Sequence, residues 1–209
     1  TPSDEGRGMN NEDSYGRVLY TLTPREAIER GKMVRPRLHI VRTRGVHSSE
    51  DYDKSLNFII SNSFKKHKDH FELNHPNMKP KMLVGTRGSD DMKNFLMSRQ
   101  YTELREMGVD VFAISSNEEV GNDVNGRKVK RQEFLQILRE YGRDRNKMLL
   151  VLHYDILTEG IDVPGFTSCM LLRTLTKSKF LQTYGRVARL DPEDRKRLDN
   201  GEIRPHDLD

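Results

Sequence analysis

Four short apolar runs, Met82-Leu83-Val84, Val109–Ile114, Met148–Leu152 and Ser168–Leu172, are spaced so that amphipathic stretches fit between most of them. This pattern constrains the fold more than any other feature of the chain. Short, continuously apolar strands are buried on both faces, and strands alternating with helices read as βαβ units. The spacing predicts an α/β fold with a mainly parallel sheet and helices on its faces. The expected helices run from Ser48 (Tyr52, Leu56, Ile59 and Ile60 on one stripe), over Ser89–Met107, over Val129–Tyr141 and over Lys177–Leu190. Ser116–Gly126 reads as a polar loop. In such sheets ligands sit at the carboxyl ends of the strands. The loops that matter are those after Val84, Ile114, Leu152 and Leu172.

Upstream of this pattern the signals are shorter. Residues 1–16 hold Met9 as their one hydrophobic side chain before Tyr15 and cannot nucleate a core. Arg17–Thr23 and Leu38–Thr43 alternate as strands do. Between them Thr23-Pro24 is a helix start, with Thr as N-cap and Pro in the first turn, and Gly31 ends that helix. With 209 residues the chain has material for one ordinary core. Of these residues 34% are hydrophobic and 33% charged, with both signs interspersed and a net charge of +4. That describes a folded chain with a wet surface, and +4 alone is compatible with a polyanion partner or a mere solubility setting. No apolar stretch approaches the ~18 residues of a membrane span, and no secretory leader is evident, so a cytoplasmic setting is expected. The single cysteine, Cys169, lies in an apolar run and reads as a small core residue.

Lys177–Leu190, KSKFLQTYGRVARL, is the most informative stretch. At about 100° per residue, Phe180, Leu181, Tyr184, Val187 and Ala188 fall on one side, expected to anchor the helix. Lys179, Gln182, Arg186 and Arg189 fall on the other. The stretch contains no Asp or Glu to balance its cations. Gly185 costs a helix ~1 kcal/mol relative to Ala, which points to close approach of something. A solvated basic face is the plain alternative. The planar fork of arginine suits phosphate oxygens, so an anion site is the sharper reading.

Gln182–Arg189, QTYGRVAR, resembles motif VI (QxxGRxxR) of superfamily 2 helicases, and Asp155–Pro164, DILTEGIDVP, resembles their motif V, in the expected order. Lys81–Thr86 is similar to the strand and turn of motif IV. Thr23–Ile28 with Gly31 and Val34 resembles the segment leading into the second motor domain. The nearest branch is that of the type I and type III restriction translocating subunits and related DNA repair helicases. The resemblance implies a three-layer αβα RecA-like domain over residues 35–209, preceded by a linker and the tail of a first motor domain over 1–34. It implies ATP with Mg²⁺ as cofactor, a nucleic acid as partner, duplex DNA rather than RNA, and an N-terminal RecA-like domain of the same protein as the other half of the site.

By the same resemblance Arg189 is the arginine finger and Arg186 a second phosphate contact, with Gln182, Gly160 and Asp162 completing the nucleotide side. Gly85, Thr86, Arg87, Thr158 and Glu159 lie toward the nucleic acid. Tyr154 departs from the RNA-helicase branch, where Thr commonly precedes the residue equivalent to Asp155. The phosphate loop GxxxxGK[ST] and the acidic motif that hold ATP and Mg²⁺ are not found; Gly31-Lys32 reads as a helix C-cap. The expectation is therefore a fragment cut near a domain junction, inactive by itself, whose Mg²⁺ ligands come from the first domain. A restriction motor that translocates duplex DNA and a stand-alone, non-catalytic binding module are the rival readings.

Other groupings carry less. Lys128, Lys130 and Arg131 read equally as a backbone contact and as a solvated helix start. His67, His70 and His75 have no nearby Cys and irregular spacing, a poor zinc pattern. Asp91-Met92-Lys93 looks like part of a nuclease motif, but Asp91 is better explained as first-turn helix charge.

Overall fold

The computed structural model describes residues 17, 21–41, 49–154 and 165–208. The chain divides into two compact units, one made of the residues up to Leu38 together with those from Leu175 on, the other of His39–Thr174. Seven α-helices and six strands are present among the described residues, and the fold is α/β.

The larger unit is built on one sheet. Its strands are β1 (Lys81–Gly85), β2 (Val109–Ile114), β3 (Asn122–Val124), β4 (Arg127–Lys128), β5 (Met148–His153) and β6 (Ser168–Leu171), in the order β4-β3-β2-β5-β1-β6. Strands β2, β5, β1 and β6 are mutually parallel, and β3 and β4 add an antiparallel edge. The apolar runs behave as their composition demands. Every residue of β1 is buried, as are Leu149–His153 of β5. Alternate residues serve opposite faces. Met82 and Val84, Val109, Val111 and Ala113, and Leu150 and Leu152 form one core with Leu56, Ile60 and Phe64 of α2 (Ser49–Asn74), Met92 and Phe95 of α3 (Ser89–Leu96) and Leu104 of α4 (Arg99–Glu106). The other face carries the in-register row Leu83, Val151, Phe112. There Phe112 meets Phe134 and Tyr141 of α5 (Arg131–Arg143), ring centroids 5.9 and 5.0 Å away. Helices thus cover both faces, giving three layers.

Local chemistry places the breaks. The helix predicted as continuous over Ser89–Met107 is two, because Ser98 turns its hydroxyl back to the carbonyl of Phe95 and accepts the amide of Tyr101 as a new N-cap. The polar loop predicted over Ser116–Gly126 contains β3 and leads into β4 through Asn125-Gly126. Both residues of that pair have positive φ, 57° and 87°, the conformation of a two-residue hairpin turn. The side chain of Asn125 also accepts the Val111 amide at 2.8 Å and donates to Asp110 at 2.8 Å, holding the hairpin on β2. Gly165, with φ +82°, lies so close to the end of α5 that a Cβ would collide with the carbonyl oxygen of Gly142.

The smaller unit holds α1 (Pro24–Glu29), α6 (Lys177–Val187), α7 (Pro192–Asp199) and a 3-10 turn at Pro205–Asp207. Thr23 and Glu26 form the capping box of α1, and Gly31 follows its C-cap with φ +61°, packed on Leu198 and Pro205. Helix α7 was not foreseen, although Asp191-Pro192 is a cap and a first-turn proline of the kind recognised at Thr23-Pro24. The strands expected upstream are not formed in their described parts. Residues 21–23 and 38–41 are irregular, and Leu38 and Ile40 are 82% and 79% exposed. Alternation makes a strand only where a sheet edge supplies hydrogen bonds. No helix among the described residues is long and apolar enough to cross a membrane.

Candidate functional site

The parallel strands of the larger unit end in step. Register pairs Ile114 with His153, His153 with Gly85 and Gly85 with Leu171, so four carboxyl ends form one row. The residues just beyond, Ser115, Tyr154, Thr86 and Leu172, form the rim where this class of sheet binds ligands. Gly85 is buried at the centre of the row. Thr86 is fully buried; its amide donates to the His153 carbonyl at 2.9 Å, and its hydroxyl lies 3.1 Å from both that carbonyl and the carbonyl of Gly88. These bonds weld the loop after β1 to the end of β5. Thr86 is thereby a scaffold of the rim.

Arg87 follows, and its charge is met from within. Its Nη2 lies 2.5 Å from Asp91 Oδ1 and its Nε 3.0 Å from Asp91 Oδ2, a two-point pair, while Asp53 stands 3.8 Å away. The Arg87 amide also donates to Asp91 at 2.9 Å. Asp91 is therefore more than a first-turn helix charge, since it fixes the loop through three hydrogen bonds. A phosphate reaching Arg87 meets a guanidinium already partnered by carboxylate. On the far side of the row, Arg173 lies over the ring of Tyr154, its guanidinium carbon 4.6 Å from the centroid. Tyr154 departs from the RNA-helicase pattern in sequence, but its partner is not legible there, because Arg173 is nineteen positions away and comes beside it only through the β5-β1-β6 order.

The cationic helix belongs to the smaller unit. Thr176 caps α6, accepting the Lys179 amide, and Gln182 is half-buried within it. Arg186 falls on the helix, its side chain outside the described residues. The helix ends at Val187 with Ala188 as C-cap, earlier than the predicted Leu190. Asp191 precedes Pro192 and must be extended (φ −60°, ψ 143°), so the chain has to leave the helix before it. The Ala188 carbonyl accepts the Val34 amide at 3.0 Å. Exposed Arg189 thus stands beyond the cap rather than on the last turn. The predicted anchoring face is also revised. Ala188 is buried as expected, but Phe180 and Leu181 are 42% and 44% exposed, and among the described side chains Thr183, off the predicted face, is the other buried position. Burial of Thr183 is tolerated because its hydroxyl donates to the Lys179 carbonyl at 3.0 Å. Its chain neighbours and own helix backbone aside, no described atom would lie within 4 Å of a methyl group at Gly185, so the close approach that this glycine suggests is not made by another described element.

Thr158, Glu159, Gly160 and Asp162 lie outside the described residues. Lys128 is tied to the Val120 carbonyl and to Asp123, and Arg127 to Glu133 at 3.0 Å, so the start of α5 is laced internally. His67 donates or accepts at Thr167 Oγ1, 2.8 Å away, and among the described residues no three His, Cys, Asp or Glu are grouped to hold a metal. Burial pushes the Cys169 thiol up to about 11, which keeps it protonated and unreactive at neutral pH.

No protein-family model matches the chain, and no curated protein matches it. The functional reading therefore stands on the residues themselves: the row of strand ends, the loop locked by Thr86 and Asp91, the stacked Tyr154–Arg173 pair, and a separate cationic helix carrying Gln182.

Proposed function

We propose that this chain is the second motor domain of an ATP-dependent superfamily 2 helicase or translocase. The observation that carries the proposal is the run Gln182–Arg189, which supplies an amide and two arginines with the spacing of motif VI on and just beyond a capped helix. Phosphoryl transfer asks a protein mainly for positioning and for positive charge at the γ-phosphate. Arg189, exposed on a segment fixed by the Val34–Ala188 hydrogen bond, is suited to reach a nucleotide held by another domain. Arg186 is assigned a second phosphate contact and Gln182 an orienting hydrogen bond. Asp162 and Gly160 are assigned to the nucleotide side, and Thr158 and Glu159 to the nucleic acid. Mg²⁺ and the phosphate loop are assigned to the first motor domain. The three-layer α/β sheet supports this reading because it offers a rim of strand ends for the nucleic acid.

The test is ATP hydrolysis by the protein that joins these residues to a phosphate-loop domain, with duplex DNA, single-stranded DNA and RNA compared as activators. Nucleic-acid-stimulated turnover is expected. Arg189→Ala is expected to lower kcat by about 10³-fold or more while the circular dichroism and melting of this domain stay unchanged. Undiminished turnover in that variant removes the assignment.

A further inference from the structure

Among the residues of the rim, Tyr154 and Arg173 form a cation–π pair across the strand ends. Tyr154 stands one residue past the end of β5 and keeps 38% of its surface exposed; Arg173 stands two past the end of β6. Strand β1 separates β5 from β6, so the side chains meet above the end of β1, where the row narrows to Gly85. The guanidinium carbon lies 4.6 Å from the phenol centroid, and Arg173 Nε is buried, so the cation backs the ring from the protein side rather than from solvent. An aromatic ring held open to solvent at the ligand-binding end of a sheet is a stacking platform.

The neighbouring charges narrow the ligand. Arg87, the other guanidinium of the rim, is held by Asp91 at 2.5 Å with Asp53 at 3.8 Å, and Thr86 has its hydroxyl on backbone carbonyls. The loop after β1 is thus poorly equipped to grip phosphates by charge. A flat, uncharged π surface suits the ring instead, and every nucleobase has one.

We infer that Tyr154, braced by Arg173, stacks on a nucleobase of a single strand, so that nucleic acid is held at this point of the rim by a base. The inference rests on the nucleic-acid reading above and adds to it a base contact. It departs from purely backbone recognition in two measurable ways. Loss of the base weakens binding, and the stacking part of the affinity is insensitive to salt, unlike phosphate contacts.

The test is fluorescence anisotropy with the 209-residue chain, a labelled oligothymidylate and the same oligomer made of abasic sugars. The wild-type chain is expected to bind the base-bearing strand at least about fivefold more tightly than the abasic one, at low and at moderate salt alike. Tyr154→Ala abolishes that preference, and Tyr154→Phe, which keeps the ring over Arg173, retains it. Should Tyr154→Ala fail to fold, Tyr154→Leu, which keeps apolar bulk without a π face, takes its place, and a preference retained in that variant overturns the assignment to Tyr154. Equal binding of the two strands by the wild-type chain overturns the base contact and leaves the nucleic-acid reading standing. Binding of neither strand overturns the nucleic-acid reading and the base contact with it.

Discussion

His67 shows how one side chain acquires a solution property from its place. Its Nε2 lies 2.8 Å from the Thr167 hydroxyl, which also donates to the Lys81 carbonyl at 3.0 Å and accepts the Lys81 amide at 2.9 Å. With the hydroxyl hydrogen committed to Lys81, neutral His67 serves Thr167 as an Nε2–H donor. Burial, aided by the nearby His70, His39 and His75, lowers its pKa to about 4. Above the unfolded value near 6.5 both states are neutral and stability is full; between 6.5 and 4 the unfolded chain binds a proton that the folded chain refuses, so stability falls with pH. The expected loss is roughly 3 kcal/mol, read from urea denaturation at pH 7 and pH 4, and His67→Gln should remove most of that dependence. Gly165 is a second such residue. Its positive φ and the Gly142 carbonyl against it leave no room for a methyl group. Gly165→Ala is expected to cost about 1–3 kcal/mol in the same titration. In sequence His67 stands out only as part of a poor zinc pattern, and neither role described here is legible there, since each depends on a neighbour distant along the chain.

Elements were legible where their signal was local. Val109–Ile114 is a strand over the residues predicted, Thr23-Pro24 starts its helix, and Gly31 follows the C-cap. The signal failed where two local cues competed. Ser98 sits inside an unbroken amphipathic pattern, and only its hydroxyl, capping Tyr101, splits the helix. Asn125-Gly126 is a strong hairpin dipeptide masked by the polar residues around it. Its dependence on positive φ is testable: Gly126→Ala should destabilise by about 1–2 kcal/mol in thermal denaturation. It should do so without touching the α6 stripe, which belongs to the other unit. The end of α6 was missed because Pro192 acts from beyond it. That error matters for function, because it moves Arg189 off the helical stripe and onto the segment bound to Val34.

At the scale of the whole molecule, stability resides in the sheet and its covering helices. Leu150, fully buried on the central strand β5 between β2 and β1, belongs to the core under α2, α3 and α4, so Leu150→Ala should cost about 2–5 kcal/mol. Phe180, also apolar, is 42% exposed and stacks on Tyr184 with ring centroids 6.2 Å apart, and Phe180→Ala should cost only about 1 kcal/mol. Chemical denaturation of the two variants side by side measures the contrast. By itself the sequence determined the α/β class, the parallel strands and the chemical character of Gln182–Arg189, because periodicity and residue type are local properties of a chain. The tertiary structure alone decided that Arg87 is held by Asp91, that Tyr154 meets Arg173 and that Thr183 rather than Phe180 is buried. The first of these pairs spans a single loop and the second spans strands that are not consecutive in the sheet. A partner of the second kind is set by strand order, which many segments establish together, whereas the first needs only the turn after β1 to bring residues four apart into contact.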